Sequence, residues 1–292
     1  MTILLTGGSG FIGKNIIEAL GGRYTILSPS SQELDFCNEV EVAKFFSAHS
    51  IETVIHSAVR PGHRNAKDPS TQLYNNTRMF FNIIRNSARY RRLISIGSGA
   101  VYDIRQPLIK VPEEFFDRYV PADEHGFSKY IIAKHMEKLE NAVKLRIFGI
   151  FGKYEDYAIR FISNAICKTI CNLPITIRQN RMFDYLFVDD LMPVIEHFIH
   201  NKAEQSAYNI TPNSAVDLYT IARIVLSCSG KDLPIVIKES GMGPEYSGCN
   251  ERLRRIFPCL DLTPLDEAVR RLYEWYENNR EHIDVEKLLF DK

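Results

Sequence analysis

The sequence predicts an α/β protein: a doubly wound parallel sheet followed by a smaller C-terminal domain. Three observations predict it. A short apolar run at the amino terminus breaks into a glycine-rich turn that opens a helix. From there to residue 152, strand and helix patterns alternate, as a parallel sheet with right-handed crossovers requires. After Gly152 the alternation loosens, and proline and glycine become more frequent.

Each element has its own signal. Thr2 to Thr6 is apolar throughout, as a strand buried on both faces must be, and Lys14 to Leu20 is amphipathic at helical spacing. Tyr24 to Leu27 reads as the second strand, Glu39 to Ala48 as a helix, and Thr53 to His56 as a strand. Leu73 to Tyr90 has helical periodicity, Leu93 to Ile96 is a strand, Ser128 to Asn141 a helix, and Ala142 to Ile147 a strand. Beyond Gly152, helices are expected over Tyr157 to Cys171, Asp189 to about His200, Asp217 to Ser227 and Thr263 to Asn278. Strands are expected at Pro174 to Ile177 and Ala207 to Ile210. The expected division is an amino-terminal domain over 1–152, with segments near 184–211 returning to it, and a smaller C-terminal domain over 153–292.

Composition narrows the function classes. The 292 residues are 45% hydrophobic and 25% charged, and 36 basic residues balance 36 acidic ones. A nucleic-acid binder needs a basic excess to neutralise phosphates, and none is present, so no nucleic-acid partner is expected. The apolar runs are too short to span a bilayer, and Met1 leads through Ile3-Leu4-Leu5 straight into glycines, without the basic and apolar regions of a secretion signal. A soluble cytoplasmic chain with no membrane partner is expected. Its six cysteines, including Cys167 and Cys171 four residues apart, read as reduced apolar side chains, and no metal is expected.

The first motif with chemistry is Thr6-Gly7-Gly8-Ser9-Gly10-Phe11-Ile12-Gly13. Glycines at 7, 10 and 13 let backbone N–H groups approach a pyrophosphate that a Cβ would block. The helix beginning near Phe11 directs its N-terminal partial positive charge at the same phosphates. Gly7, Ser9, Gly10, Phe11, Ile12 and Gly13 are therefore candidate cofactor ligands.

With this spacing the chain resembles the extended short-chain dehydrogenases/reductases, whose fold is a Rossmann-type sheet with a smaller C-terminal substrate domain. The resemblance runs on in order through Ser98-Gly99-Ala100-Val101-Tyr102, His125-Gly126-Phe127-Ser128-Lys129, and Leu145-Arg146 with Gly149 and Gly152. It continues in Asp184-Tyr185-Leu186-Phe187-Val188-Asp189-Asp190 and in the tail from Tyr246 to Glu267, so it covers essentially the whole chain. Residues 32–56 are most similar to the nucleotide-sugar 4-ketoreductases of the family, such as the GDP-fucose synthases and dTDP-4-dehydrorhamnose reductases.

The resemblance implies a Ser, Tyr and Lys catalytic set. Ser98 matches the serine that hydrogen-bonds the reacting sugar oxygen, and Lys129 the lysine that holds the nicotinamide ribose. The tyrosine is missing: His125 stands in its place, four residues before the lysine and so on the same helical face. Imidazole, with an ordinary pKa of about 6.5, can serve as a general acid or base. Three readings stand: His125 is the acid/base; Tyr102, Tyr130 or a bound water takes the task; or the chain binds its ligands with little turnover. Tyr130, next to Lys129, points about 100° away on a helix.

For the cofactor, Leu27-Ser28-Pro29-Ser30-Ser31 carries no acid at the end of the second strand. That removes repulsion against a 2′-phosphate, so NADP is expected in preference to NAD, with Ser28 nearby. The resemblance places Asp35 near the adenine, and Ala58 and Asn76 along the cofactor. Arg60, His63 and Arg64 in one loop, with Arg181, are candidate ligands for the diphosphate of a nucleotide-sugar substrate. The family often carries an arginine where this chain has Phe183, so a rearranged phosphate site is expected. Gly99-Ala100 lacks the acidic pair of sugar dehydratases, and Ala100 lacks the cysteine used for 3,5-epimerisation. What remains is keto/hydroxyl interconversion on a nucleotide-activated sugar. A 4-epimerase with tightly held NAD, or a weakly active binding homologue, are the alternatives. The resemblance also implies a homodimer. His56, His197 and His200 read as structural or solvated, and Tyr273, Trp275 and Tyr276 as helix packing.

Overall fold

The structure, a computed structural model, describes residues 1–60, 71–212 and 214–289. His63 and Arg64 lie outside the described residues. The first half runs β1 (Thr2–Thr6), α1 (Phe11–Leu20), β2 (Thr25–Leu27), α2 (Glu39–Ala48), β3 (Thr53–His56), α3 (Gln72–Ile84), β4 (Arg92–Ser98), β5 (Leu108–Val111), α4 (Glu124–Met136), β6 (Ala142–Ile147) and β7 (Gly149–Phe151). The second half runs α5 (Phe161–Ile170), β8 (Ile175–Asn180), β9 (Met182–Phe183), β10 (Tyr185–Phe187), α6 (Val188–His200), β11 (Ala207–Ile210), β12 (Val216–Asp217), α7 (Leu218–Ser229), β13 (Ile235–Met242), β14 (Tyr246–Gly248), α8 (Glu251–Ile256), α9 (Leu265–Asn278) and α10 (Glu286–Leu289).

Six strands form one parallel sheet in the order β11-β6-β4-β3-β1-β2. Because β2 and β3 flank β1 on opposite sides, the winding reverses at β1. Its carboxyl end is the crevice where ligands of open α/β sheets bind. One face packs Ile3, Leu5, Ile94, Val143 and Leu145 against α1 and α6, and the other packs Leu4, Val54 and Leu93 against α2, α3 and α4. Each such side chain, fully buried, contributes about 2 kcal/mol. Residues 184–211 supply α6 and the edge strand β11.

A second core gathers α5, α7 and α9 over the parallel pair β8–β13, with Ile166, Cys167, Ile221, Val225 and Leu272 at its centre. All six cysteines are free. Among the described residues, no helix is long and apolar enough to cross a membrane.

The structure corrects several expected boundaries. The helix expected from Ser128 begins one turn earlier, at Glu124, because Asp123 accepts the Gly126 N–H at 2.8 Å and caps it. The helix expected to reach Tyr90 stops at Ile84, and Ser87–Arg89 forms a separate 3-10 turn. The helix expected from Tyr157 starts at Phe161. Asp156 heads a turn of its own there, accepting Ala158 N at 3.0 Å through its side chain. Strands β5, β13 and β14 and helix α8 were not expected from the sequence.

Candidate active site

The glycine turn at the end of β1 shows what each glycine does. Gly7 has φ +76°, and a Cβ on it would stand 2.8 Å from the Ala58 Cα beyond β3. A Cβ on Gly13 would stand 2.6 Å from the Gly8 Cα. These two glycines are required by the fold. Gly10 differs: the nearest atom to its missing Cβ is the Gly7 carbonyl oxygen, 3.3 Å away. It is the N-cap of α1, where no side chain caps the helix and the first turn has no acid. The amides of Phe11, Ile12 and Gly13 thus stand at an uncompensated helix terminus beside an open cradle, which fits a pyrophosphate. Ser9 is exposed at the rim of this turn.

The other cofactor candidates surround it. Ser28 lies against Gly8 and donates to the Leu5 carbonyl at 3.1 Å. After β2, Ser30 N donates to the Glu33 carboxylate at 2.7 Å, a capping arrangement that turns the acid onto the backbone and holds its pKa below the usual range. Asp35 is exposed and accepts from Cys37 N at 2.9 Å. Ala58 N donates to Thr6 Oγ1 at 3.1 Å. Asn76 is buried, accepts the Arg60 N–H at 2.7 Å, and leaves its own Nδ2 buried without a partner among the described residues. That orphaned donor is a second feature that fits a bound ligand. Arg60 itself is exposed.

Ser98 ends β4 and accepts from Ala100 N at 3.1 Å, heading a 3-10 turn over Gly99–Val101. Helix α4 closes against this turn: a Cβ on Gly126 would stand 2.9 Å from the Ala100 carbonyl oxygen and 2.7 Å from Pro121 Cβ. The glycine after His125 is therefore what brings the helix carrying His125 and Lys129 down onto the Ser98 turn. His125 lies in the first turn of α4, half-exposed, with Nδ1 3.4 Å from Gln72 Oε1 at the start of α3. One turn on, Lys129 is only 6% exposed and makes no hydrogen bond or ion pair among the described residues. Burial lowers its pKa to about 8.

Beneath Lys129 a polar row crosses the sheet. Thr6, His56, Ser95 and Lys144 are cross-strand neighbours on β1, β3, β4 and β6. Thr6 Oγ1 lies 2.8 Å from His56 Nδ1, and Lys144 Nζ donates to Ser95 Oγ at 3.0 Å. Burial, then the charges of Lys144 and Lys129, push His56 down to about 3, so it is a neutral structural histidine. Lys144, fully buried, falls well below the ordinary lysine range through burial and the charges of Lys129 and Arg146.

The two tyrosines considered as substitutes are committed elsewhere. Tyr102 is buried, with its hydroxyl donating to Asn209 Oδ1 and accepting from Arg146 Nη1, both at 2.9 Å. Tyr130 donates to the Asp117 carboxylate.

The substrate candidates fall into two places. Arg60 is near the cofactor candidates, whereas Arg181 belongs to a separate cleft of about 420 Å³ lined by Asn164, Lys168, Arg178, Arg181 and Phe183, among others. Arg181 donates to the Pro244 carbonyl at 3.0 and 2.8 Å and lies 5.3 Å over the Phe183 ring. Arg178 pairs with Glu239 at 2.8 Å, and Lys168 Nζ donates to Thr176 Oγ1 at 2.6 Å. The sequence reading missed Lys168, Arg178 and Gln72. They carry no motif, and topology alone brings them to these positions.

The profile of the NAD dependent epimerase/dehydratase family matches residues 3–211. GDP-L-colitose synthase of Yersinia pseudotuberculosis is 22% identical over 224 residues, covering 69% of this chain and 73% of the relative. A GDP-L-fucose synthetase from Naegleria fowleri bound to NADP superposes with a TM-score of 0.84 at 16% identity, covering 96% of this chain and 94% of its own. A UDP-glucuronic acid 4-epimerase from Bacillus cereus in complex with NAD does so with a TM-score of 0.77 at 19% identity, covering 96% and 99%. The two structural likenesses show the Rossmann-type fold.

Proposed function

This chain belongs to the NAD dependent epimerase/dehydratase family, and on that premise we propose that it interconverts a keto and a hydroxyl group on a nucleotide-activated sugar, using a nicotinamide cofactor. The observation that carries the reading is the closure of α4 on the Ser98 turn at Gly126, which brings the helix of His125 and Lys129 down at the same carboxyl edge of the parallel sheet at which the glycine cradle opens. NADP is the preferred cofactor in this reading, since the end of β2 carries no acid and Glu33 is engaged with the Ser30 amide.

The residues divide the work. The amides after Gly10, with Ser9 and Gly7, hold the paired phosphates. Ser28 and Asp35 border the adenosine half, and Ala58 and Asn76 line the path toward the ring. When bound, the nicotinamide supplies or accepts the hydride at the sugar carbon. Ser98 donates a hydrogen bond to the reacting oxygen, Lys129 holds the ribose hydroxyls, and His125 gives a proton to that oxygen or takes one from it. The cleft with Arg181, Arg178 and Lys168 binds the substrate's diphosphate, and Arg60 meets the substrate from the side of the cofactor candidates. Residues 1–152, with the return near 184–211, form the cofactor domain, and 153–292 the substrate domain. The chain works as a cytoplasmic homodimer that packs through α3 and α4, and its product serves polysaccharide synthesis as an activated sugar.

The test follows NADPH and NADH absorbance with a panel of nucleoside-diphosphate 4-ketohexoses, and the reverse reaction with the matching hexoses. Reduction of at least one substrate, lost in Ser98→Ala, supports the reading. Absence of any nicotinamide dinucleotide binding to the folded protein overturns it.

A further inference from the structure

We propose that Gln72 is the positioning residue for His125: its side-chain oxygen accepts the imidazole Nδ1–H, fixing the ring's orientation and its tautomer, so that the lone pair of the neutral ring lies on Nε2. This rests on the reading of His125 as the group that gives a proton to the sugar oxygen or takes one from it.

The chemistry of an imidazole is the first support. A phenol has one atom that gains and loses a proton. An imidazole has two, and the hydrogen bond made by one nitrogen decides which of them carries the hydrogen. A histidine at position 125 therefore needs a neighbour that makes the choice. The structure puts one there: Nδ1 of His125 lies 3.4 Å from Oε1 of Gln72. An amide oxygen only accepts, so the nitrogen facing it bears the hydrogen. The bond is long, as catalytic hydrogen bonds commonly are before substrate is bound. With the hydrogen held on Nδ1, the neutral ring is a base through Nε2 and the protonated ring an acid through the same atom. Nε2 is also the nitrogen farther from Cβ, which suits a histidine standing where the longer tyrosine is missing.

The second support is how Gln72 is committed. It is only 4% exposed, and its side chain makes no other hydrogen bond among the described residues. Burying a carboxamide costs free energy unless it is bonded, and the imidazole is the partner that offsets this cost.

The third support is the frame. Gln72 opens α3 directly after Thr71, whose φ of +54° turns the chain into the helix. The next residue, Leu73, donates its N–H to Glu124 Oε1 at 2.9 Å. Consecutive residues of α3 thus clasp consecutive residues of α4. Further along, Phe80 and Phe81 of α3 meet the His135 ring of α4 edge-on, with centroids 5.9 and 4.9 Å apart. The two helices are packed along their lengths, so the acceptor is carried on a rigid element and is not left to a loop.

NMR of nitrogen-labelled histidine side chains tests this, with the His125 signals identified by their loss in His125→Ala. With the ring neutral, wild type should show Nδ1 protonated and Nε2 unprotonated. Gln72→Met keeps the length of the side chain but lacks the amide oxygen. It should move the ring toward the Nε2–H form and lower kcat about ten-fold, with KM for the nucleotide sugar and Kd for NADPH within about two-fold of wild type. Gln72→Glu keeps an oxygen facing Nδ1 and should keep the wild-type tautomer. A role in helix packing alone would alter melting temperature or ligand affinity and leave the tautomer as it was, and that result overturns the proposal. So does a wild-type spectrum with the hydrogen on Nε2, a measurement that needs no variant to fold. If wild type turns over its substrate and Gln72→Met changes neither kcat nor tautomer, the role of Gln72 fails and the proposed function stands. If wild type binds neither cofactor nor any nucleotide sugar, the proposed function fails and takes this assignment with it.

Discussion

Lys144 Nζ donates to Ser95 Oγ at 3.0 Å from directly across the β4–β6 pairing, and this hydroxyl is its sole partner among the described residues. A buried amine with no carboxylate is held neutral or charged at a cost. Its folded pKa is depressed, so the unfolded chain binds more protons below the ordinary lysine range, and stability rises with pH through that window. Lys144→Met should therefore stabilise the protein, by on the order of 1 kcal/mol or more at pH 7. Urea unfolding at pH 6 and pH 10 checks this: the gain must be larger at pH 6.

Glu155 carries the opposite sign. It is buried in the second core, accepts from Ser163 Oγ at 2.6 Å, and burial pushes its pKa up to about 8. The native state binds more protons than the unfolded chain between about 4.5 and 8, so this group's contribution falls as pH rises through that window. Glu155→Gln keeps an acceptor for Ser163. It should raise stability by about 3 kcal/mol at pH 8 and change it little at pH 5, read from paired denaturant melts.

The glycines of the first turn should separate by role. Gly7→Ala meets both a positive φ and the Ala58 backbone, so poor folding is expected. Gly10→Ala meets only the Gly7 carbonyl oxygen at 3.3 Å, so the fold should persist with a melting temperature within about 3 °C of wild type. Its NADPH affinity should drop at least ten-fold in a fluorescence titration. Unchanged affinity would remove Gly10 from the cofactor site.

His125→Ala should lower kcat by about 100-fold or more while NADPH binding stays within two-fold. A stopped assay of substrate reduction, with cofactor fluorescence on the same preparation, separates the two effects. Near wild-type rates in this variant would assign proton transfer to another group.

The parallel sheet was legible because its strands, buried on both faces, are written as apolar runs, and β3, β6 and β11 fall at the predicted residues. Strands β5 and β13 were not. Leu108–Val111 buries only its two ends, and Ile235–Met242 is mostly exposed and held by pairing to β8 instead of an apolar face. The start of α4 was missed because its signal is a single capping carboxylate, Asp123, and not a periodicity. In the site, Ser98 and Lys129 were readable from fixed spacings around short-range turns. Gln72 was not, since 53 residues separate it from His125.

Asp184 is nearly fully buried; its carboxylate accepts from Gly248 N at 2.7 Å and from the Thr211 hydroxyl, and burial raises its pKa to about 6. Thr211 follows the last strand of the main sheet, while Gly248 lies 64 positions after the acid. On a ribosome this clasp cannot shut when β11 emerges; it waits until β14 has been made. A nascent chain halted near residue 211, where the match to the family profile ends, would hold every strand of the six-stranded sheet and still leave this carboxylate short of a donor. Synthesis of the tail is thus what closes Asp184 and Thr211 onto one another's end of the sheet.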